Sequence, residues 1–173
     1  MPLLYSILYI LCMSVAVFLL GRIFPRKWLF PDRFPYKSFA FERDGDIYNK
    51  LRIMSWKTKL PDMSIIITKV VPRFMPRKRL NNEKQIPVLI KETCIAESTH
   101  IIASVLGFGC VLIGDGIVGW LVASVFLLLN IPFVIMQRFN RPRLIKADRM
   151  LRRRNLRPEA TEAERTKSGT AAS

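Results

Sequence analysis

A chain of 173 residues that is half hydrophobic, has positive mean hydropathy and still carries a net charge of +15 fits poorly with a soluble domain, which rarely combines such apolarity with such charge. The distribution resolves the conflict. Of the 28 Lys and Arg, 17 lie in residues 22–91 and 11 in 137–173, while 1–21 and 92–136 hold none and contain only Glu92, Glu97 and Asp115 as acids. Apolar spans alternating with basic aqueous segments are the charge pattern of an integral membrane protein.

Residues 1–21 form the first expected transmembrane helix, built on the uncharged stretch 3–20. It lacks the basic n-region and small-residue cleavage site of a signal peptide, and Arg22, Arg26 and Lys27 follow it directly, so a retained anchor is expected. Residues 22–91 form a basic segment. Its prolines at 25, 31 and 35 imply extended chain around interleaved aromatics and cations, a composition suited to the lipid headgroup layer. Residues 44–57 read as turn and then helix, with Ile47, Leu51 and Met54 on one side. The apolar patch 63–75 is too short to cross a bilayer and reads as an interfacial helix.

Residues 92–136 form an expected hairpin of two further transmembrane helices. The first starts as a helical pattern from Asn81, tolerating Pro87 in an early turn, and the Gly114–Gly116 turn leads to the second at 117–136. Residues 137–157 read as a basic amphipathic helix, and the small, polar tail 158–173 as disordered. The expected fold is therefore an all-α integral membrane protein with three transmembrane helices, a basic cytoplasmic segment and interfacial helices. The positive-inside bias places the N-terminus and the Gly114–Gly116 turn outside and both basic segments in the cytoplasm, giving a multi-pass protein of the cell membrane. Cys12, Cys94 and Cys110 have no metal-type spacing and read as small apolar residues. No nucleic-acid-binding module accompanies the basic charge, which argues against a nucleic-acid partner.

The ionisable groups at the mouth of the second span invite a chemical reading. At about 100° per residue, Glu92, Ala96, Glu97, His100, Ala103, Ser104 and Gly107 share one polar, small-residue stripe, and Ile95, Ile102, Val105 and Leu106 fall opposite. Glu97 and His100 are three residues apart and within reach of each other. Charge this close to hydrocarbon costs roughly 2.5–3.5 kcal/mol, and persists where groups pair or line a cavity. A Glu–His pair suits general-base work, the carboxylate orienting the ring; the same pair also suits a structural hydrogen bond, or two ligands of a metal site. On the third span Asn130, Gln137 and Arg141 share a face, which a hairpin would turn towards the Glu97–His100 stripe. Residues 138–143 pack three guanidiniums into six residues, a fork chemistry suited to phosphate or carboxylate.

Three blocks carry a resemblance. Lys37, Ser38, Phe39, Phe41, Glu42, Gly45, Asn49, Lys50, Trp56, Lys57, Lys59 and Asp62 form the first; Glu92, Thr93, Ala96, Glu97 and His100 the second; Asn130, Pro132, Gln137, Arg138 and the Asn140–Leu144 run the third. In order and spacing they resemble the glycosyl-4,4'-diaponeurosporenoate acyltransferase family of bacterial, staphyloxanthin-type carotenoid biosynthesis. The resemblance implies a small membrane enzyme that moves a fatty acyl group from an activated donor, such as acyl-CoA, to a hydroxyl of a glycosylated carotenoid or other glycolipid, with no cofactor and with membrane lipids around it. On the physical reading, His100 is the expected base, Glu97 its orienter, and Glu92 a sugar-binding or proton-sharing group. Lys57, Arg138, Arg141 and Arg143 are candidate donor-phosphate contacts, Asn130 is a candidate oxyanion donor, and Gln137 and Asn140 are candidate substrate contacts. The rival is a non-catalytic membrane scaffold that binds anionic lipid or a partner enzyme.

Overall fold

The computed structural model describes residues 2–45, 47–50, 52–56, 85–114 and 116–170. Lys57 and the expected interfacial helix at 63–75 lie outside them. Among the described residues the chain is helical, without strands. Helix α1 runs Pro2–Ile23, α2 Ile47–Lys50, α3 Ile53–Trp56, α4 Ile86–Gly107, α5 Cys110–Ile113 and α6 Ile117–Thr170. Three segments, Pro2–Ile23, Ile86–Ile113 and Ile117–Arg154, are long and apolar enough to cross a membrane; at 1.5 Å per residue even the shortest spans about 33 Å against a hydrocarbon core of about 30 Å.

Helix α1 packs antiparallel along α4. Near its start the Tyr9 hydroxyl donates to the Leu106 carbonyl at 2.8 Å, and near its end Arg26 donates to Glu92. Met13, Val17 and Ala103 form a buried apolar cluster, with Tyr9 and Phe126 against it, where α1, α4 and α6 meet. On the opposite side of α4 Ile102, Val105 and Leu106 are exposed, as the periodicity predicts, whereas Ile95 is half-buried and lies beside Gly21 of α1. Gly107 ends α4, α5 adds one more turn, and Gly114 and Gly116 carry the chain into α6. The start of α1 lies beside this turn, since the Cys110 thiol donates to the Ser6 carbonyl at 3.6 Å. The basic stretches that follow α1 and the apolar part of α6 therefore gather at the other end of the bundle.

Three local expectations are corrected. Residues 24–39 are not extended but a succession of tight turns: Arg33 N–H donates to the Phe30 carbonyl at 3.0 Å and Tyr36 N–H to that of Arg33 at 2.9 Å. Pro31 occupies the second position of the first turn, where its fixed φ favours turning. The expected helix over 44–57 is two short turns of helix, interrupted at Arg52, which takes φ +48°. That break swings Tyr48 and Ile53 inward against Phe139, with Trp56 and Ile135 alongside, and leaves Ile47 and Met54 exposed. Finally, residues 137–157 are not a separate helix. The third span continues through Pro132 and Pro142 as the single helix α6, whose backbone stays helical as far as Thr170, into the stretch expected from composition to be disordered.

Candidate active site

The polar faces of α4 and α6 meet. From α4 come Thr93, Glu97 and His100, at intervals of four and three residues; from α6 come Asn130, Phe133, Arg138 and Arg141. Over these stretches α4 presents about two turns of side chain, and α6 about three, towards the other helix. A third contributor, the strap of turns over residues 35–45, closes this interface at the basic end.

The centre of the contact is a buried ion cluster. Glu97 is 1% exposed, and each of its oxygens takes one arginine: Oε1 accepts from Arg138 Nε at 2.7 Å, and Oε2 accepts from Arg141. Arg138 spends its other nitrogens on the strap, donating to Glu42 Oε1 at 2.8 Å and to the Pro35 carbonyl at 2.9 Å. Arg141 donates to Thr93 Oγ1 at 3.0 Å, the Thr93 carbonyl at 3.2 Å and the Tyr36 carbonyl at 2.7 Å. Glu42 is itself held by the Tyr48 hydroxyl at 2.7 Å and by the Phe39 N–H at 3.1 Å. That last bond has the geometry of a capping box, a carboxylate reaching back three residues over the first turn of Ala40–Gly45. Burial, with the Glu42 carboxylate beside it, pushes the Tyr48 phenol well above its ordinary range. Two carboxylates and two guanidiniums cancel, which is how so much buried charge is tolerated. Phe39 and Tyr36 lie flat against Arg138 and Arg141, ring centroids 4.7 and 5.4 Å from the guanidinium carbons.

About one turn further into the bundle is His100. Its ring stacks on Phe133, centroids 4.9 Å apart and planes 9° from parallel, and its Nδ1 lies 2.8 Å from Asn130 Oδ1. The tautomer follows from the neighbour. Asn130 Nδ2 donates to the Phe126 carbonyl at 2.8 Å, a partner that only accepts, so the amide must present its oxygen to the ring. Nδ1 is then the protonated nitrogen, and Nε2 carries the lone pair. Among the described residues Nε2 takes no hydrogen bond.

The expected side chains are thus partly brought together. Glu97 and His100 share the interface but do not pair: the carboxylate goes to arginine and the imidazole to Asn130. The correction is electrostatic, since two buried guanidiniums outbid a neutral ring for a carboxylate. With both oxygens so engaged, Glu97 is also not free to chelate a metal with His100. Glu92 lies apart from the cluster, partly exposed and paired with Arg26. Asn130 turns its carbonyl oxygen, not an N–H, to the ring, while its Nδ2 donates to the Phe126 carbonyl. Every nitrogen of Arg138 and Arg141 already donates to an internal partner, so a donor phosphate would have to share them with the Glu97 cluster. Arg143 sits over the Phe139 ring at 3.8 Å and donates to Met54 Sδ at 3.6 Å. Gln137 and Asn140 are half-buried, with no side-chain hydrogen bond among the described residues. Sequence spacing assigns no chemical role to Glu42, Tyr36, Thr93 or Phe133; Glu42 and Thr93 stand in the shared blocks, but spacing alone does not connect residue 42 to residue 138.

Residues 25–153 match the family model described as glycosyl-4,4'-diaponeurosporenoate acyltransferase. Proteins of that name from Staphylococcus aureus strains bovine RF122 / ET3-1 and N315 are each 31% identical over 152 residues, covering 87% of this chain and 90% of the relative. That of strain MRSA252 is 31% identical over 153 residues with the same coverage. No solved structure matches significantly. The match takes in the strap, the second span with His100 and the arginines of α6, and the chain belongs to the glycosyl-4,4'-diaponeurosporenoate acyltransferase family.

Proposed function

We propose that this multi-pass membrane protein transfers a fatty acyl group from an activated thioester donor, acyl-CoA, to a hydroxyl of a glycosylated carotenoid or related glycolipid, with His100 as general base. The basic end of the bundle faces the cytoplasm, as the positive-inside bias favours, and the reaction takes place just inside that boundary. The observation that carries the reading is the Phe126–Asn130–His100 chain of hydrogen bonds, which leaves an unprotonated Nε2 on a ring held flat by Phe133.

Nε2 takes the proton of the acceptor hydroxyl as its oxygen bonds to the acyl carbon. The carbon–sulfur bond then breaks, and the imidazolium returns the proton to the departing thiolate. Gln137, one turn beyond Phe133 on α6, and Asn140 supply polar contacts to the sugar. The Glu97–Arg138–Arg141 cluster positions the two helices rather than touching substrate.

The test is turnover of labelled acyl-CoA and glycolipid acceptor by purified protein reconstituted in liposomes. His100→Ala should lose about 10²–10⁴-fold in kcat while keeping its thermal transition. Undiminished turnover would end the base assignment.

A further inference from the structure

At the basic end of the bundle lies a cleft of about 210 Å³ between the first turns of α4, the basic stretch of α6 and the turn at residues 31–32. Asp32, Lys91, Asp148 and Arg149 surround it, over an apolar lining that includes Ile90 and Ile145. Its charges are unequally used. Asp148 accepts from Arg152 Nε at 2.8 Å and is neutralised there. Lys91, Arg149 and Asp32 form no ion pair among the described residues. The cleft's own two cations and two carboxylates cancel, and Arg152, paired with Asp148 from outside the lining, brings the local total to one net positive charge.

We propose that this cleft binds the phosphodiester headgroup of an anionic phospholipid, at a site separate from the reacting centre. A monoanionic phosphodiester cancels the surplus charge, with Lys91 and Arg149 as donors to its oxygens and Asp32 as acceptor for a headgroup hydroxyl. The space is below the roughly 300–1,000 Å³ of a pocket that encloses a whole small ligand. It suits a headgroup whose acyl chains lie outside, along the lipid-facing helices. Its position, among basic residues where apolar helices leave the bilayer, is where anionic lipids concentrate and where basic interhelical pockets take their headgroups.

The geometry separates this site from the donor. Lys91 precedes His100 by nine residues, which places it about 14 Å along and about 180° around α4. A thioester donor anchored here would have to carry its acyl carbon round the helix to meet Nε2. Of the arginines that sequence spacing offers for a phosphate, Arg138 and Arg141 are engaged in the buried cluster and Arg143 lies over Phe139 and donates to Met54 Sδ, whereas Lys91 and Arg149 form no ion pair among the described residues.

Native mass spectrometry of the detergent-purified full chain, titrated separately with phosphatidylglycerol, phosphatidylethanolamine and coenzyme A, tests the assignment. Phosphatidylglycerol should bind more tightly than phosphatidylethanolamine, and Lys91→Gln/Arg149→Gln should weaken it by about tenfold or more. Lys146→Gln/Arg153→Gln, which removes the same charge from exposed positions outside the cleft, should change it by less than about threefold. Arg149→Gln alone, at an exposed position, should give a smaller loss in the same direction, guarding against a folding defect in the double variant. Equal losses in the two double variants, or no preference for phosphatidylglycerol, overturn the site. Coenzyme A binding lost in the cleft variant instead of phosphatidylglycerol binding overturns the lipid and returns the cleft to the donor. His100→Gln should bind phosphatidylglycerol like the wild type, so failure of the base assignment and failure of the lipid site read out separately.

Discussion

An amide, not a carboxylate, holds the imidazole, and the difference matters at this depth. A charge in hydrocarbon is costly unless paired, and the cheapest arrangement of one carboxylate, two guanidiniums and one neutral ring puts the carboxylate with the guanidiniums. Asn130 then orients His100 without adding charge, accepting from Nδ1 at 2.8 Å while its own N–H is anchored to Phe126. Asn130→Leu keeps the volume roughly constant and removes the acceptor, so the ring loses its tautomer preference. A base in the wrong tautomer is disabled even when its position is kept, and kcat should fall by about 10²-fold or more, with KM for the acceptor little changed. Steady-state kinetics on the reconstituted variant, set beside its thermal transition, checks this; a lowered transition with kcat intact would make Asn130 purely structural.

Between elements, the buried cluster is the joint of the molecule, and Glu97 is its shared member. Through Arg138 and Arg141 that carboxylate connects α4 to α6, and through Arg138 to Glu42 and the strap. Removing one charge from a buried paired set costs about 3–5 kcal/mol, because the partner is left uncompensated, whereas removing both members is much milder. Glu97→Gln should therefore lower the thermal transition in detergent strongly, and Glu97→Gln/Arg138→Gln less than the sum of the two single changes. Additive losses would show that the side chains do not act as a unit. This joint also marks the limit of what the chain could disclose by inspection. The helices were legible because uncharged runs and a 3.6-residue period are local signals, and the wheel put Glu97, His100, Asn130 and Arg141 on the facing sides. The choice of partner was not legible, because Glu97 meets an arginine 41 residues on and Arg138 meets a carboxylate 96 residues back. Nor was the strap, whose path depends on Arg52 at positive φ and on an inward Tyr48. Both are consequences of the tertiary contact rather than of spacing.

At the scale of the whole bundle, the opposite end is closed by backbone proximity instead of charge. Helix–helix contact in a bilayer draws on close packing, because lipid tails are as apolar as the side chains, and small residues let backbones approach. The junction of α5 and α6 uses two glycines, one in the turn and one in the first turn of α6, for different reasons. Gly119 lies against the preceding segment so closely that a Cβ would fall 2.4 Å from the Cys110 carbonyl oxygen and 2.8 Å from Val111 Cα. These are backbone atoms, and the Cys110 carbonyl already accepts the Gly114 N–H at 2.7 Å, so relief requires the two helices to part. Gly116 has open space around its Cα but takes φ +41°, where a side chain costs about 1–2 kcal/mol. Gly119→Ala should thus destabilise by roughly 1–3 kcal/mol through overpacking and also move the second span relative to the third, tilting His100 against Asn130 and reducing turnover. Gly116→Ala should carry only its local cost and leave turnover near normal. Thermal unfolding and acyl transfer measured on both variants separate the cases: equal activity losses would mean that the turn, not the close approach at Gly119, sets the alignment of the two polar faces.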